Sequence, residues 1–234
     1  KTTKQKQKEL RLLILLNLCC SYLCVVPNAK KMTTEEKIKF LKDNIEPLSD
    51  QIYGNGFRAS AYLTDGTFIP CVRFRNSKPI TELAIKRFND ERKGKGIFSR
   101  DSGMGYNDIV ESFVAKGNRI NEYDIDRIEK SPFAFPKEIL DQIRGETTMG
   151  WTGFCVKMND GKIFGYGNSF LFDFFQMPNG YTATDISEII NHSYLSKSGE
   201  LKEHKVPFFD RPDDYDEKNI YRERQFFDCY VDGL

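Results

Sequence analysis

Two stretches of this chain alternate apolar and polar residues into an Asp-Gly pair and out again. One is Phe57 to Phe74 around Asp65-Gly66; the other is Trp151 to Phe170 around Asp160-Gly161. Alternation puts successive side chains on opposite faces of a strand, and Asp-Gly between two such runs marks a hairpin, read here as a type I′ turn with positive φ at both residues. As a two-residue loop, Asp65-Gly66 pairs Leu63 with Phe68, Ala59 with Val72 and Phe57 with Phe74, all on one face. The opposite face carries Arg58, Arg73 and Arg75, turned to solvent or to an anionic partner. Pro70 has no N–H to give to a ladder, so its strand is expected at a sheet edge. In the second hairpin the same loop length sets Phe154 and Val156 across from Gly167 and Gly165, rings over bare backbone. Its other face holds Trp151, Cys155, Tyr166 and Phe170, so this ribbon is either central or carries a binding surface. The copies share little beyond turn and alternation and are read as independent hairpins.

Elsewhere the apolar period becomes helical. A helix over 34–50 opens on a Thr33–Glu36 capping-box spacing, and another runs from Pro79 to about Arg92 with Ile80, Leu83, Ala84 and Phe88 on one stripe. Further helices are expected over 107–116, 122–130 and 136–144, and from Thr182 or Thr184 to Tyr194. A strand is expected from Gln225 to Val231. The sum is an α+β fold: antiparallel hairpins at about 57–74 and 151–175, packed with five or six helices, and a C-terminal strand. Residues 32–234 read as a single domain, divisible into hairpin-plus-helix halves 32–130 and 131–234.

Residues 1–31 form a basic, then apolar, leader. The order is that of a secretory signal, but Arg11, Asn17 and Ser21 interrupt the apolar run. Met32 followed by a helix cap suits a start of translation there, with 1–31 an upstream extension. Cysteine use points the same way: Cys71, Cys155 and Cys229 are widely spaced and odd in number, as buried reduced thiols would be. The expected location is the cytoplasm; a true signal would instead make the protein secreted or periplasmic.

The formal charge of +1 hides an asymmetry. The leader carries seven Lys/Arg and one Glu, which leaves 28 basic and 33 acidic side chains and a net of −5. General nucleic-acid binding is therefore not expected, nor is membrane association for 32–234. Cofactors and metals are not expected either, since no His-x-x-x-His or Cys-x-x-Cys spacing occurs.

Candidate chemistry is sparse. The basic Gly-rich loop 93–105, with Lys93, Lys95 and Arg100, offers amides and cations to a phosphate, yet matches no nucleotide-binding fingerprint. Glu146, in the Gly- and Thr-rich segment 145–153, and His192 are the candidate proton-transfer groups. Asp210, Asp213, Asp214, Asp216 and Glu217 cluster near Arg211, Arg222 and Arg224, as a charged loop rather than a cation site. The leading expectation is a non-enzymatic cytoplasmic protein, immunity- or antitoxin-like or regulatory, that binds a protein partner through Trp151, Tyr166 and Phe170. The alternative is an enzyme or phosphate-handling protein built on Lys95, Arg100 and Glu146 or His192.

Overall fold

Both Asp-Gly turns form, and each is one residue longer than expected. Leu63 N donates to Thr67 O at 2.8 Å and Gly66 N to Leu63 O at 2.9 Å; Met158 N to Lys162 O and Gly161 N to Met158 O repeat those values. The loops are thus 64–66 and 159–161. Only their glycines take positive φ, +87° at Gly66 and +86° at Gly161, which is a type I turn closed by a G1 bulge rather than type I′. The Asp side chain stabilises each loop by accepting from the N–H two residues on, Thr67 or Lys162.

That extra residue shifts both registers. At the first tip Tyr62, not Leu63, faces Phe68; a bulge at Pro70-Cys71 then restores the expected pairs Ala59–Val72 and Phe57–Phe74. The second hairpin has no such bulge, so its register stays displaced: Phe154 faces Tyr166, and Gly153 faces Gly167.

A computed structural model describes residues 31–95, 104–113, 118–169, 171–204 and 212–234. The leader therefore lies outside the described residues but for Lys31, as do Arg100, most of the loop 93–105, Phe170, Asp210 and Arg211. The helices are α1 (Thr34–Asn44), α2 (Ser77–Arg92), α3 (Met104–Phe113) and α4 (Lys137–Leu140). The strands are β1 (Gly56–Leu63), β2 (Phe68–Asn76), β3 (Arg119–Ile120), β4 (Ile125–Lys130), β5 (Thr152–Met158), β6 (Ile163–Asn168), β7 (Ile186–Asn191), β8 (Ser193–Leu195), β9 (Leu201–Glu203), β10 (Tyr221–Arg222) and β11 (Phe227–Val231). Among the described residues, four α-helices against eleven strands in three sheets overturn the expectation of five or six helices.

The misread helices have one physical cause. Residues 122–130 and 183–191 each form a short 3-10 turn followed by a strand, β4 or β7. Ile125 and Ile128 are three apart, as are Ile186 and Ile189, a helical spacing. In the sheet, however, β4 slips register opposite Tyr62/Leu63 and β7 slips opposite Lys157/Met158. The extra residue of each bulge, Asp126 or Ser187, lets both isoleucines reach the same core. His192 accordingly follows a strand, at φ +49°, rather than ending a helix.

The two halves repeat one wiring. A five-stranded sheet has the order β3-β11-β2-β1-β4, and a four-stranded sheet has β10-β6-β5-β7. In each, the hairpin's first strand takes the bulged strand antiparallel, and its second strand takes a C-terminal strand parallel. Even the anchor of the turn recurs: Thr64 N donates to Asp124 O at 2.9 Å and Asn159 N to Asp185 O at 2.8 Å. Pro70 is correspondingly not on an edge strand; β2 lies between β11 and β1, and β11 begins pairing only at Val72.

Each sheet buries one face under its own cluster. Leu41 of α1 joins Phe57, Ala59, Val72, Phe74, Ile125, Ile128 and Cys229 in the first half. Phe135 and Ile139 join Phe154, Val156, Tyr166, Phe175, Ile186 and Ile189 in the second. The capping box expected at Thr33 forms, with Glu36 reaching back to the Thr33 N–H. No helix among the described residues is long and apolar enough to cross a membrane.

Candidate functional site

The arginine face of the first hairpin is interior. Arg58 and Arg75 are buried; the segment after β6 meets Arg58 through Asp173, and its Phe174 clusters with Cys71 and Phe226. The anions that meet the arginines are the chain's own. Arg73 Nε donates to Asp228 at 2.9 Å and Nη1 to Asp173 at 3.3 Å, while its guanidinium lies 4.4 Å over the Phe226 ring. Arg75 Nη2 donates to Asp50 at 3.1 Å, and its guanidinium lies 5.4 Å from the Tyr53 ring centre. The expectation of solvent or an external anion thus fails for Arg73 and Arg75. Strand alternation shows which residues share a face, not what covers that face.

Arg58 differs. It is 4 % exposed, and Nη1 donates to the main-chain oxygen of Asp173 at 3.2 Å. Its Nε–H is buried with no hydrogen-bond partner, and no carboxylate among the described residues forms an ion pair with it. Burial pushes its pKa down to about 10 against the pull of Asp173 and Glu46. Arg73, a strand away, goes the other way. Burial opposes its charge too, but Asp173 and Asp228 together hold its pKa above the usual value. A buried cation that is short of compensation is costly unless something supplies charge or acceptors.

A cavity opens beside it. About 440 Å³ in volume, it lies where the linker between the halves, Ser131–Pro136, meets β1, the end of α1 and the turn at Thr182–Thr184. Hydrogen bonds fix the walls. Ser131 Oγ donates to Pro70 O at 2.6 Å, Phe175 N to Phe133 O at 2.9 Å, and Ala183 N to Pro132 O at 3.4 Å. Ile45, Pro132, Ala134, Phe135, Pro136 and Ala183 make the apolar lining. Lys130, Lys137 and Glu46 add charge, with Lys130 and Glu46 exposed. Lys137 also bonds Asp141, and that bond leads the interactions raising its pKa. This volume falls at the low end for small-ligand pockets, about 300–1,000 Å³.

The residues singled out from sequence lie elsewhere. Trp151 is 7 % exposed and Tyr166 1 %, on opposite faces of the second sheet. Tyr166 belongs to the core with Phe154, and its ring stacks 5.4 Å from Tyr221. Trp151 lies over Gly167, so closely that a Cβ there would sit 1.9 Å from a ring carbon, and Arg222 lies 4.7 Å above its ring. These two rings make no open recognition face. The glycine-under-aromatic arrangement does occur, with Trp151 in the place expected for Phe154.

Glu146 is exposed, and the loop before it reaches His192, whose Nε2 lies 3.1 Å from Arg144 O. Lys95 is exposed at the end of α2, with its N–H on Asp90 O. Near the acidic tail, Arg222 meets Glu223, and Arg224 meets Gln176. Asp214 binds Lys202 at 2.5 Å and the Tyr194 hydroxyl at 2.9 Å. No group of three or more potential metal ligands occurs among the described residues. The three core thiols are buried, and burial pushes Cys71 and Cys155 up to about 11 and Cys229 up to about 12. They are poor nucleophiles at neutral pH.

Sequence reading found Arg58 by its face but missed Lys130, Lys137 and Glu46. A usable signal lay in Leu171-Phe172-Asp173-Phe174-Phe175, where a lone carboxylate inside an aromatic run marks a buried counter-ion. No family model matches this chain, and searches of curated proteins and of solved structures likewise find nothing similar to it.

Proposed function

We propose that the protein is a non-enzymatic binding protein whose ligand carries a negative charge and occupies the cavity beside Arg58. One observation carries the reading: a buried guanidinium, with an unpartnered N–H and no ion-paired carboxylate, forms part of the wall of a 440 Å³ cavity. An anion in that cavity supplies both the missing acceptor and the missing charge, and charge-assisted bonds of this kind are stronger than neutral ones. Lys130 adds an exposed positive charge to the lining, whereas Lys137 is paired with Asp141 and Glu46 carries the opposite sign. The lining holds neither imidazole nor thiol, and its Ser131 hydroxyl is engaged with Pro70 O.

The test is NMR titration of the full chain with sodium formate, the smallest carboxylate probe, at constant ionic strength. Saturable shifts at Ser131–Ala134 and Thr182–Thr184 are expected, and Arg58→Gln abolishes them. Equal shifts in the folded variant, or none in the wild type, contradict the reading.

A further inference from the structure

We infer that the ligand of this cavity is a monocarboxylate with an apolar body, rather than a phosphate ester or a neutral molecule. The inference rests on the anion-binding reading above and names the chemical class that the walls select. Three features point the same way.

The first is the buried Nε–H of Arg58. Nη1, on one side of the guanidinium, is engaged with Asp173 O, whereas the buried Nε–H has no acceptor. Nε–H and the N–H of Nη2 beside it form a planar fork that fits the two oxygens of a carboxylate. Nε is itself shielded from solvent, so binding must displace part of the wall to bring those oxygens to this edge and satisfy the buried Nε–H.

The second is the charge around the cavity, which is nearly balanced. Arg58, Lys130 and Lys137 are offset by Glu46 in the lining, by Asp141 on Lys137 and by Asp173, which Arg73 already shares. With three cations against three carboxylates, one of them shared with Arg73, the set leaves room for at most one added negative charge. A phosphate monoester brings about −1.5 to −2 and meets Glu46 and Asp173 as like charges.

The third is the lining itself. Six of its residues, Ile45, Pro132, Ala134, Phe135, Pro136 and Ala183, present hydrocarbon, far more than an inorganic anion uses. Burial of an apolar body against them supplies affinity, and the single charge supplies orientation.

Isothermal titration calorimetry of the full chain against 3-phenylpropanoate, phenyl phosphate and 3-phenylpropanol, at one ionic strength, decides the matter. The expected order puts the carboxylate first, with the other two about tenfold to a hundredfold weaker, the range of one charged hydrogen bond. Arg58→Gln removes that preference, and Arg58→Lys, which keeps charge without the fork, restores only part of it. Ala134→Leu narrows the cavity without touching its charge and weakens 3-phenylpropanoate, which keeps the test decisive if Arg58→Gln does not fold. Tighter binding of phenyl phosphate, lost in Arg58→Gln, overturns the carboxylate assignment and leaves the anion site standing. Equal binding of the alcohol overturns the role of charge. Binding by none of the three, together with no formate shifts, overturns both readings.

Discussion

The two hairpins share a turn, a bulged third strand and a parallel C-terminal strand, yet the faces turned away from their main apolar clusters carry opposite chemistry. In the first half the paired positions Arg58 and Arg73 hold two guanidiniums. In the second half the paired positions Gly153 and Gly167 hold none. There the space is filled by side chains from elsewhere: Trp151 covers Gly167, and His204 approaches Gly153 so closely that a Cβ would sit 2.9 Å from Nε2. One face is thus closed by ion pairs that leave Arg58 short of a partner, and the other by rings. The frame is common to both halves, whereas the buried guanidiniums, Arg58 beside the cavity among them, belong to one half alone.

Breaking the charged face has the largest expected effect. Arg73→Met removes the cation that Asp173 and Asp228 share and leaves two carboxylates buried without it. Loss of one partner of a buried pair costs about 3–5 kcal/mol, readable by urea denaturation. A cost below about 1 kcal/mol would mean that the network does not hold the halves' junction.

On the ring-filled face the matching test is Gly167→Ala. Its methyl collides with the indole, and overpacking of this kind costs about 1–3 kcal/mol. Trp151 is the chain's single tryptophan, so its fluorescence reports the displacement directly. An unchanged spectrum would remove Trp151 from its assigned place.

Equality of the two frames is tested at their turns. Gly66 and Gly161 have nearly the same positive φ, and a Cβ at either meets nothing within 4 Å. Alanine therefore has only the backbone cost, about 1–2 kcal/mol, and the same in both halves. A cost several-fold larger at one turn would show that the repeat is superficial.

The smallest effect concerns Asp50. Burial raises its pKa, but the N–H groups of Tyr53 and Ile52 and the Arg75 guanidinium outweigh this and leave it below the ordinary carboxylate value. A carboxyl whose folded pKa is lowered stabilises the fold above its unfolded pKa, about 3.9, and that contribution fades as pH falls further. The stability difference between wild type and Asp50→Asn is expected to be present at pH 6 and to shrink as pH falls below about 3.9 in thermal melts.

Much of the frame was legible in the chain. Alternation and Asp-Gly located both hairpins, Thr33 and Glu36 located the first cap, and Gln225 to Val231 contains the last strand. What misled was local arithmetic. A three-residue loop looks like a two-residue one, and a bulged strand with isoleucines three apart looks like a helix, because both differ by a single residue. The site was less legible because it is made by the junction of distant segments. Arg58, Ser131 and Ala183 meet only through tertiary packing, and nothing in the spacing of Arg58, Arg73 and Arg75 tells which one goes without a carboxylate.

The most direct measurement is the side-chain Nε–H signal of Arg58, followed by ¹H–¹⁵N NMR as 3-phenylpropanoate is added. The expected result is a saturable downfield shift as the unpartnered proton gains its acceptor, with Arg73 Nε–H, already on Asp228, unmoved. An Arg58 signal that stays in place while the ligand binds would contradict the assignment.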